Sequence, residues 1–306
     1  MGGRGMKTTK EIRDILSVCT HIDSHVHTHL CDGKDDMTVE NIAASAKERG
    51  VDGVILTPHY HKQVSDGTET LYCDTDQDIF LSLREEIEHY ERKDGSVKIL
   101  LSTEADIISL DGELSLEASS ETEAALDLVT PTMNYHPCLP LKFVGLTMGR
   151  KIDELHESGA YEKAAAELGG VGEVLSLMYK TEINAIRRCP YPSMLGHLFM
   201  AHSFHPCLNN AFGARLEHLE FMKEGVKQVI SACKNADALI DITGVHIGKG
   251  QSVADKMKNN GFLVDFQRYV VQECGRMGVA AYYGSDAHSL SSIGECADYY
   301  RKLYEA

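Results

Sequence analysis

Short apolar segments recur along the chain, and most of them precede a stretch with the periodicity of a helix. This repetition restricts the chain to a small number of possible folds. A short, continuous apolar run bounded by turn residues is typical of a strand that is buried on both faces of a parallel sheet. Seven such runs predict seven strands, at residues 19–23, 53–57, 97–102, 126–130, 193–196, 238–242 and 279–284.

Helical patterns lie between most of the predicted strands. Thr38 can cap the first of them, and Gly50 stands where that helix would stop. Further helices are predicted at residues 76–91, 151–168, 172–188, 216–232, 262–277 and 293–304. Alternation of strands and helices over nearly the whole length predicts an α/β fold, either a β/α barrel or a doubly wound sheet.

The length and charge of the chain narrow its domain organisation and its partners. A chain of 306 residues fits one α/β barrel, since such barrels exceed the usual domain size. We expect an N-terminal extension over residues 1–18 and one domain over residues 19–306. With 30 Lys and Arg against 46 Asp and Glu, the net charge is −16. This acidic balance works against binding to nucleic acid or anionic membranes, because both attract a basic surface.

The cysteines and the N-terminus bear on the location of the protein. Nine cysteines are scattered along the chain and none forms a C-x-x-C pair, which is typical of a protein in a reducing cytosol. We find no apolar core of a signal peptide near the start, and no later run approaches the ~18 apolar residues of a membrane span. The expectation is a cytoplasmic protein without a membrane partner; its oligomeric state is left open.

Histidines and acids follow most of the predicted strands. Because all strands of a β/α barrel run the same way, the residues that follow them meet on one face, where active sites of such barrels are built. A single histidine of this kind is more often an ordinary loop residue, whereas an ordered set at successive strand ends indicates a site. The set is His25, His27, His59, Glu104, His136, His197, Asp286 and His288.

Two pairs in this set are spaced for metal binding. In an extended chain, side chains two residues apart point to the same side, so His25 and His27 face one way, as do Asp286 and His288. Imidazole and carboxylate ligands together suit Zn, Mn or Fe. Six histidines, with acids able to bridge, predict a cluster of two or three divalent ions. Such clusters clamp the attacking and leaving oxygens in phosphoryl hydrolysis.

The ordered motifs resemble those of the PHP family, named for polymerase and histidinol phosphatase domains. The matching segments are His25-Val26-His27-Thr28, Thr57-Pro58-His59, Thr103-Glu104-Ala105-Asp106, His136, Gly196-His197 and Gly284-Ser285-Asp286-Ala287-His288. The resemblance covers roughly residues 20–290 and implies a single-domain, distorted (β/α)7 TIM-like barrel, in agreement with the seven predicted strands. It also implies an enzyme that binds up to three divalent metals and hydrolyses phosphoesters.

The resemblance implies three metal sites that share one bridging carboxylate. The implied ligands are His25, His27, Glu104 and Asp286 for the first ion, Glu104, His136 and His197 for the second, and Asp32, His59 and His288 for the third. Asp35 is the alternative to Asp32, because histidinol phosphatases often carry Cys-Pro-His-Gly where this chain has Cys31-Asp32-Gly33. A metal-activated hydroxide would attack phosphorus, and the implied catalytic residues are Glu104, Asp286 and His288.

The substrate is the part of the function that the sequence specifies least. The resemblance favours a small phosphomonoester, with histidinol phosphate as the leading guess. The segment Thr57-Pro58-His59-Tyr60 is instead similar to bacterial PHP-type protein tyrosine phosphatases. Three residues in loops are candidates for contact with the substrate, and a lysine there suits a phosphate. They are His205, His246 and Lys249.

Two other classes of protein are weighed against the phosphatase. An amidohydrolase-type enzyme, which cleaves C–N or C–O bonds, also uses His-x-His and a late Asp at barrel strand ends. It usually needs a bridging lysine or metal-bridged carboxylate on the fourth strand, and no predicted strand here ends in lysine. A non-catalytic metal-binding barrel is the second alternative. The complete ligand set argues against it, since a protein that loses catalysis tends to lose ligands.

Overall fold

The strands of the barrel are short and parallel. The computed structural model describes residues 6–31, 33–60, 64–65, 70–72, 78–116, 119–133, 160–196, 198, 216–242 and 261–295. Its strands are β1 Ile22–Val26, β2 Gly53–Leu56, β3 His59–Tyr60, β4 Val64–Ser65, β5 Thr70–Tyr72, β6 Lys98–Leu101, β7 Glu104–Asp106, β8 Thr130–Thr132, β9 Met194–Leu195, β10 Leu239–Asp241 and β11 Ala281–Tyr282. β3 continues β2 and β7 continues β6, so the parallel strands occupy seven positions. β4 and β5 form a separate antiparallel pair.

Hydrogen bonds link the seven positions into a ring. Parallel pairing gives the orders β1-β2-β6, β3-β7-β8 and β9-β10-β11. Between β8 and β9, the Met194 amide donates to the Val129 carbonyl at 2.9 Å. Between β11 and β1, the Ser24 amide donates to the Tyr283 carbonyl at 2.8 Å, and the His27 amide donates to the Ala287 carbonyl at 3.0 Å. The fold is therefore a distorted (β/α)7 barrel, as the resemblance implies, and not a doubly wound sheet.

Eight α-helices are described, and most follow the predicted pattern. They are α1 Thr9–Ser17, α2 Val39–Glu48, α3 Asp78–Lys93, α4 Ser120–Ala125, α5 Ala160–Glu167, α6 Val171–Arg188, α7 Leu219–Asn235 and α8 Gly261–Met277. The helix predicted at 293–304 is wrong at its start, because residues 290–292 form a 3-10 helix and residues 293–295 form a hydrogen-bonded turn instead of an α-helix. Residues 151–159 and 296–304 lie outside the described parts. None of the described helices is long and apolar enough to cross a bilayer.

The first helix closes the amino-terminal end of the barrel. A capping box fixes its start: Thr8 Oγ accepts from the Glu11 amide, and the Glu11 carboxylate accepts from the Thr8 amide. Ile12 and Leu16 are buried against apolar residues of four strands and against Leu128, which precedes β8; the strand residues are Ile55, Leu100, Met194 and Leu239. The predicted boundary after residue 18 stays a prediction, but α1 shares the core of the barrel. The carboxyl ends of the strands, which the predicted site residues follow, lie at the opposite end of the barrel.

Asp127 stabilises the barrel away from the histidines. Its buried carboxylate accepts from the Leu101 amide at 2.8 Å and from Arg84 Nη2 at 2.8 Å, and it also contacts Lys7. Burial alone raises the pKa of this carboxyl, but Arg84 and Lys7 outweigh burial and hold the pKa below its usual value. Both cations are partly exposed, so the effect of losing the charge is smaller than for a fully buried pair.

Asp127→Asn is expected to lower the free energy of unfolding by about 2 kcal/mol, because a charge-assisted hydrogen bond to each cation is weakened. Urea denaturation at neutral pH measures the change. The variant is expected to keep the metal content of the unsubstituted protein. Asp127 pairs with Leu101, which lies closer than Glu104 to the amino-terminal end of the barrel. A loss of metal in Asp127→Asn would contradict this separation of stability from the site.

Candidate metal centre

The first strand brings two histidines together at its carboxyl end. His25 and His27 both lie at the carboxyl end of β1 and both are fully buried. Their ring centroids are 5.2 Å apart, as expected for side chains two residues apart in an extended strand. The prediction that these two rings lie on the same side of the strand is confirmed.

Glu104 lies at the centre of the cluster. It begins β7, is fully buried, and directs its Oε2 at rings from two neighbouring strand positions. This oxygen lies 3.2 Å from His25 Nε2, 3.6 Å from His27 Nε2 and 3.1 Å from His59 Nδ1. Three imidazole nitrogens therefore converge on one carboxylate oxygen, at the position where the resemblance implies a bridging ligand.

The segment after β11 completes the described cluster. Asp286 Oδ1 lies 2.8 Å from His27 Nε2 and 3.8 Å from His25 Nε2. The His288 ring stacks on His27 with centroids 4.0 Å apart, and His288 Nδ1 lies 2.9 Å from the Asp286 carbonyl oxygen. Six of the nine ligands predicted from the sequence thus come together. The other three lie outside the described residues.

The remaining predicted residues fall where the structure gives no description. Asp32, His136 and His197, three of the implied ligands, lie outside the described residues, as do the substrate candidates His205, His246 and Lys249. All four ligands of the first implied site are therefore described. Of the second site only Glu104 is described, and of the third only His59 and His288. Asp35, the alternative to Asp32, is described and is exposed to solvent.

The donor atoms are spaced as ligands around a divalent ion would be. Zinc–nitrogen bonds of about 2.0–2.1 Å in a tetrahedral shell place neighbouring ligand atoms about 3.3 Å apart. The distances around Glu104 and Asp286 run from 2.8 to 3.8 Å. Two groups have ligand atoms that all lie within 4.8 Å of one another, and neither needs a residue outside the described parts. They are His25, His27 and Asp286, and His27, His59 and His288.

The electrostatics of the cluster favour a positive charge. Burial alone lowers the pKa of His25, but its bonds to Asp241 and Glu104 outweigh burial and raise the pKa to about 10. A buried group that holds a proton this firmly lies in a strongly negative field, because carboxylates surround it. Divalent cations satisfy such a field, so the donor set and the charge both fit a metal.

A second buried carboxylate holds the loop that carries Asp286. Asp23 Oδ1 accepts from the Ser285 amide at 2.9 Å, and its Oδ2 accepts from Ser285 Oγ at 2.6 Å and from the Gly294 amide at 2.8 Å. Burial raises the pKa of Asp23, although these hydrogen bonds oppose the shift. Asp286 itself has φ +53°, in the left-handed region that residues with a side chain rarely adopt. The bonds to Asp23 therefore maintain a strained backbone that aims Asp286 at His27.

Asp23→Asn is expected to lower the free energy of unfolding by about 2 kcal/mol, because an amide nitrogen cannot accept the bonds that one carboxylate oxygen accepts now. The same change is expected to lower metal content, since the loop of Asp286 loses its anchor. Urea denaturation and elemental analysis measure the two effects. Asp14→Asn, on the exposed side of α1, is the control that should change neither. Full metal content in Asp23→Asn would contradict the role of this carboxylate.

One acid of the cluster was not predicted from the sequence. Asp241 ends β10, is fully buried, and places its Oδ2 3.0 Å from His25 Nδ1. A signal for it exists in the alternation of the strand. Leu239 points into the barrel core, so Asp241, two residues further, points the same way at the end that carries the site. A lone acid after an apolar run is too common for that signal to stand out.

Two residues near the implied ligands have structural partners instead. The Cys31 thiol accepts from the His59 amide at 3.2 Å, so it supports the backbone of that residue. His29 lies 3.2 Å from the Met37 carbonyl oxygen through Nδ1 and 3.4 Å from Glu86 Oε1 through Nε2. Both side chains thus have contacts that serve the structure around the cluster.

Comparison with known proteins supports the fold. No protein-family model matches the chain, and no curated protein matches it. A candidate histidinol phosphatase, HisK, from Listeria monocytogenes superposes with a TM-score of 0.58 at 17% identity, over 92% of this chain and 100% of that one. The histidinol phosphate phosphatase of Lactococcus lactis subsp. lactis, solved with zinc, L-histidinol and phosphate, gives 0.53 at 13% identity, over 92% and 93%. The chain therefore has the barrel fold of these histidinol phosphatase structures, as its resemblance to the PHP family implies.

Proposed function

We propose that the chain is a metal-dependent phosphatase that hydrolyses a small phosphomonoester, with histidinol phosphate as the leading candidate. The observation that carries the proposal is the convergence of His25, His27 and His59 on Glu104 Oε2, with Asp286 beside them. The fold supports it too, because the Lactococcus lactis structure with the same fold contains zinc, L-histidinol and phosphate.

The proposed site holds two to three divalent ions (Zn, Mn or Fe). The first ion would be held by His25, His27, Glu104 and Asp286. The second would be held by Glu104 as well, together with His136 and His197. Asp32, His59 and His288 would hold the third. When bound, such ions lower the pKa of water and neutralise charge on phosphate oxygens, which is the chemistry that phosphoester hydrolysis needs.

The chain's own residues have defined tasks in this proposal. Glu104 places one negative charge among three rings and so keeps their ring nitrogens directed at one point. Asp286 adds a second negative charge at the same nitrogen of His27, Nε2, at 2.8 Å. His288, which is 42% exposed, forms the boundary between the buried cluster and solvent and would meet the incoming substrate first. Contact of His205, His246 and Lys249 with the phosphate stays a prediction, as does a cytoplasmic location.

The proposal is tested on the full chain after chelation and reloading with Mn, Zn or Fe. We expect inorganic phosphate to be released from histidinol phosphate only by the metal-loaded protein, with a higher kcat/KM than from p-nitrophenyl phosphate. Faster release from a phosphotyrosyl peptide would favour the tyrosine phosphatase, which the segment Thr57–Tyr60 resembles. Cleavage of a cyclic amide and no phosphoester would favour the amidohydrolase. A metal-loaded protein that hydrolyses nothing would contradict the phosphatase and leave a metal-binding barrel.

A further inference from the structure

Asp241 lies beside the proposed metal ligands but on the far side of one of them. It is the last residue of β10, between β9 and β11, and it is fully buried at the end of the barrel that carries the histidines. Its Oδ2 lies 3.0 Å from His25 Nδ1. The nitrogen on the other edge of the same ring, Nε2, is the one that lies 3.2 Å from Glu104. The imidazole of His25 therefore separates Asp241 from the point where the other donor atoms meet.

The second oxygen of Asp241 is also held. Ser24 Oγ donates to Asp241 Oδ1 at 2.7 Å. An ionised carboxylate only accepts hydrogen bonds, so the bond to His25 requires the proton on Nδ1. A metal ion bound at Nε2 would take the place of the proton that this nitrogen now shares with Glu104 at 3.2 Å, and the ring would keep the Nδ1 proton that Asp241 accepts. Both oxygens of one acid are thus used to set the orientation and tautomer of one histidine.

We propose that Asp241 is a positioning residue that fixes His25 as an Nε2 ligand, with Ser24 holding the carboxylate in place. The proposal rests on the metal site of the proposed function. A carboxylate on the second ring nitrogen is how proteins commonly orient a metal-bound histidine, and its loss typically lowers metal affinity by roughly 10- to 100-fold. This arrangement orients His25, which lies within β1.

The test compares D241N with Asp127→Asn, a buried control. The amide of D241N can donate to His25 Nδ1 and so shift the ring proton to Nε2, where it blocks coordination. We expect the affinity for Co²⁺, measured by chelator competition, to fall roughly 10- to 100-fold. The visible spectrum of the cobalt-loaded protein is expected to change, because a nitrogen ligand is lost or reoriented. Asp127→Asn is expected to be less stable and to keep both properties.

The outcomes separate this proposal from the proposed function. Unchanged cobalt affinity and spectrum in D241N would overturn the positioning role and leave the metal site standing. An unsubstituted protein that binds no metal would overturn both. If D241N fails to fold, Ser24→Ala decides: about threefold weaker cobalt binding, the size expected for one hydrogen bond, supports the role, and unchanged binding overturns it.

Discussion

Glu104→Gln is expected to lower phosphoester hydrolysis by about 1,000-fold and to reduce the bound metal per chain. Glutamine keeps the size of the side chain but removes its charge, while His25, His27 and His59 still converge on that position. Loss of a bridging ligand costs several kcal/mol of transition-state stabilisation, and about 4 kcal/mol corresponds to a 1,000-fold change in rate. Phosphate release under saturating Mn and elemental analysis measure the two effects.

Glu113→Gln is the matched control for this substitution. Glu113 follows the same strand and is exposed, so its charge is expected to matter neither for hydrolysis nor for metal content. The prediction for Glu104 would be wrong if the variant hydrolysed the substrate at the rate of the unsubstituted protein. Glu104→Gln that keeps its metal but loses activity would limit the role of this carboxylate to the reaction.

His25→Ala is expected to lower hydrolysis by more than about 100-fold and to remove at least one ion, while the fold stays intact. The ring is fully buried and its nitrogens lie within 3.2 Å of Asp241 and Glu104, so removal leaves two acids facing a cavity. A ligand lost outright should cost more than an outer-shell partner, for which losses of 10- to 100-fold are typical. Asp286→Ala is expected to give the same pattern.

His89→Ala provides the control for the histidine substitution. His89 lies on α3 with its side chain 65% exposed, and its ring nitrogen is 3.8 Å from Glu40. We expect unchanged activity and metal content in this variant. Circular dichroism of both variants checks that the barrel remains folded. Full activity in His25→Ala would show that the reaction takes place elsewhere in the protein.

The fold was largely predictable because each strand of a barrel is buried on both faces. The seven apolar runs correspond to the seven strand positions, and the first predicted helix begins after Thr38 and is followed by Gly50 at φ +72°. The observed bounds of a strand differ from the predicted bounds where polar contacts replace apolar packing. The first strand begins at Ile22 rather than Cys19, because the Thr20 and His21 amides donate to the Asp52 side chain instead of joining the ladder.

The site was predictable to the extent that its residues follow a recognisable order along the chain. His25, His27, His59, Glu104, Asp286 and His288 come together as the barrel polarity requires. Asp241 was missed because its role depends on contacts with Ser24 and His25, more than 200 residues earlier in the sequence. A pattern of neighbouring residues cannot predict a contact between such distant residues, whereas the His-x-His motif is recognisable from three consecutive residues.

The most direct test of the account is the number of metal ions per chain, measured by elemental mass spectrometry on the purified protein. The arrangement of His25, His27, His59, Glu104 and Asp286, together with the remaining implied ligands, predicts two to three ions of Zn, Mn or Fe. One ion or none, even after the protein has been reloaded with metal, would contradict the proposed multi-metal phosphatase.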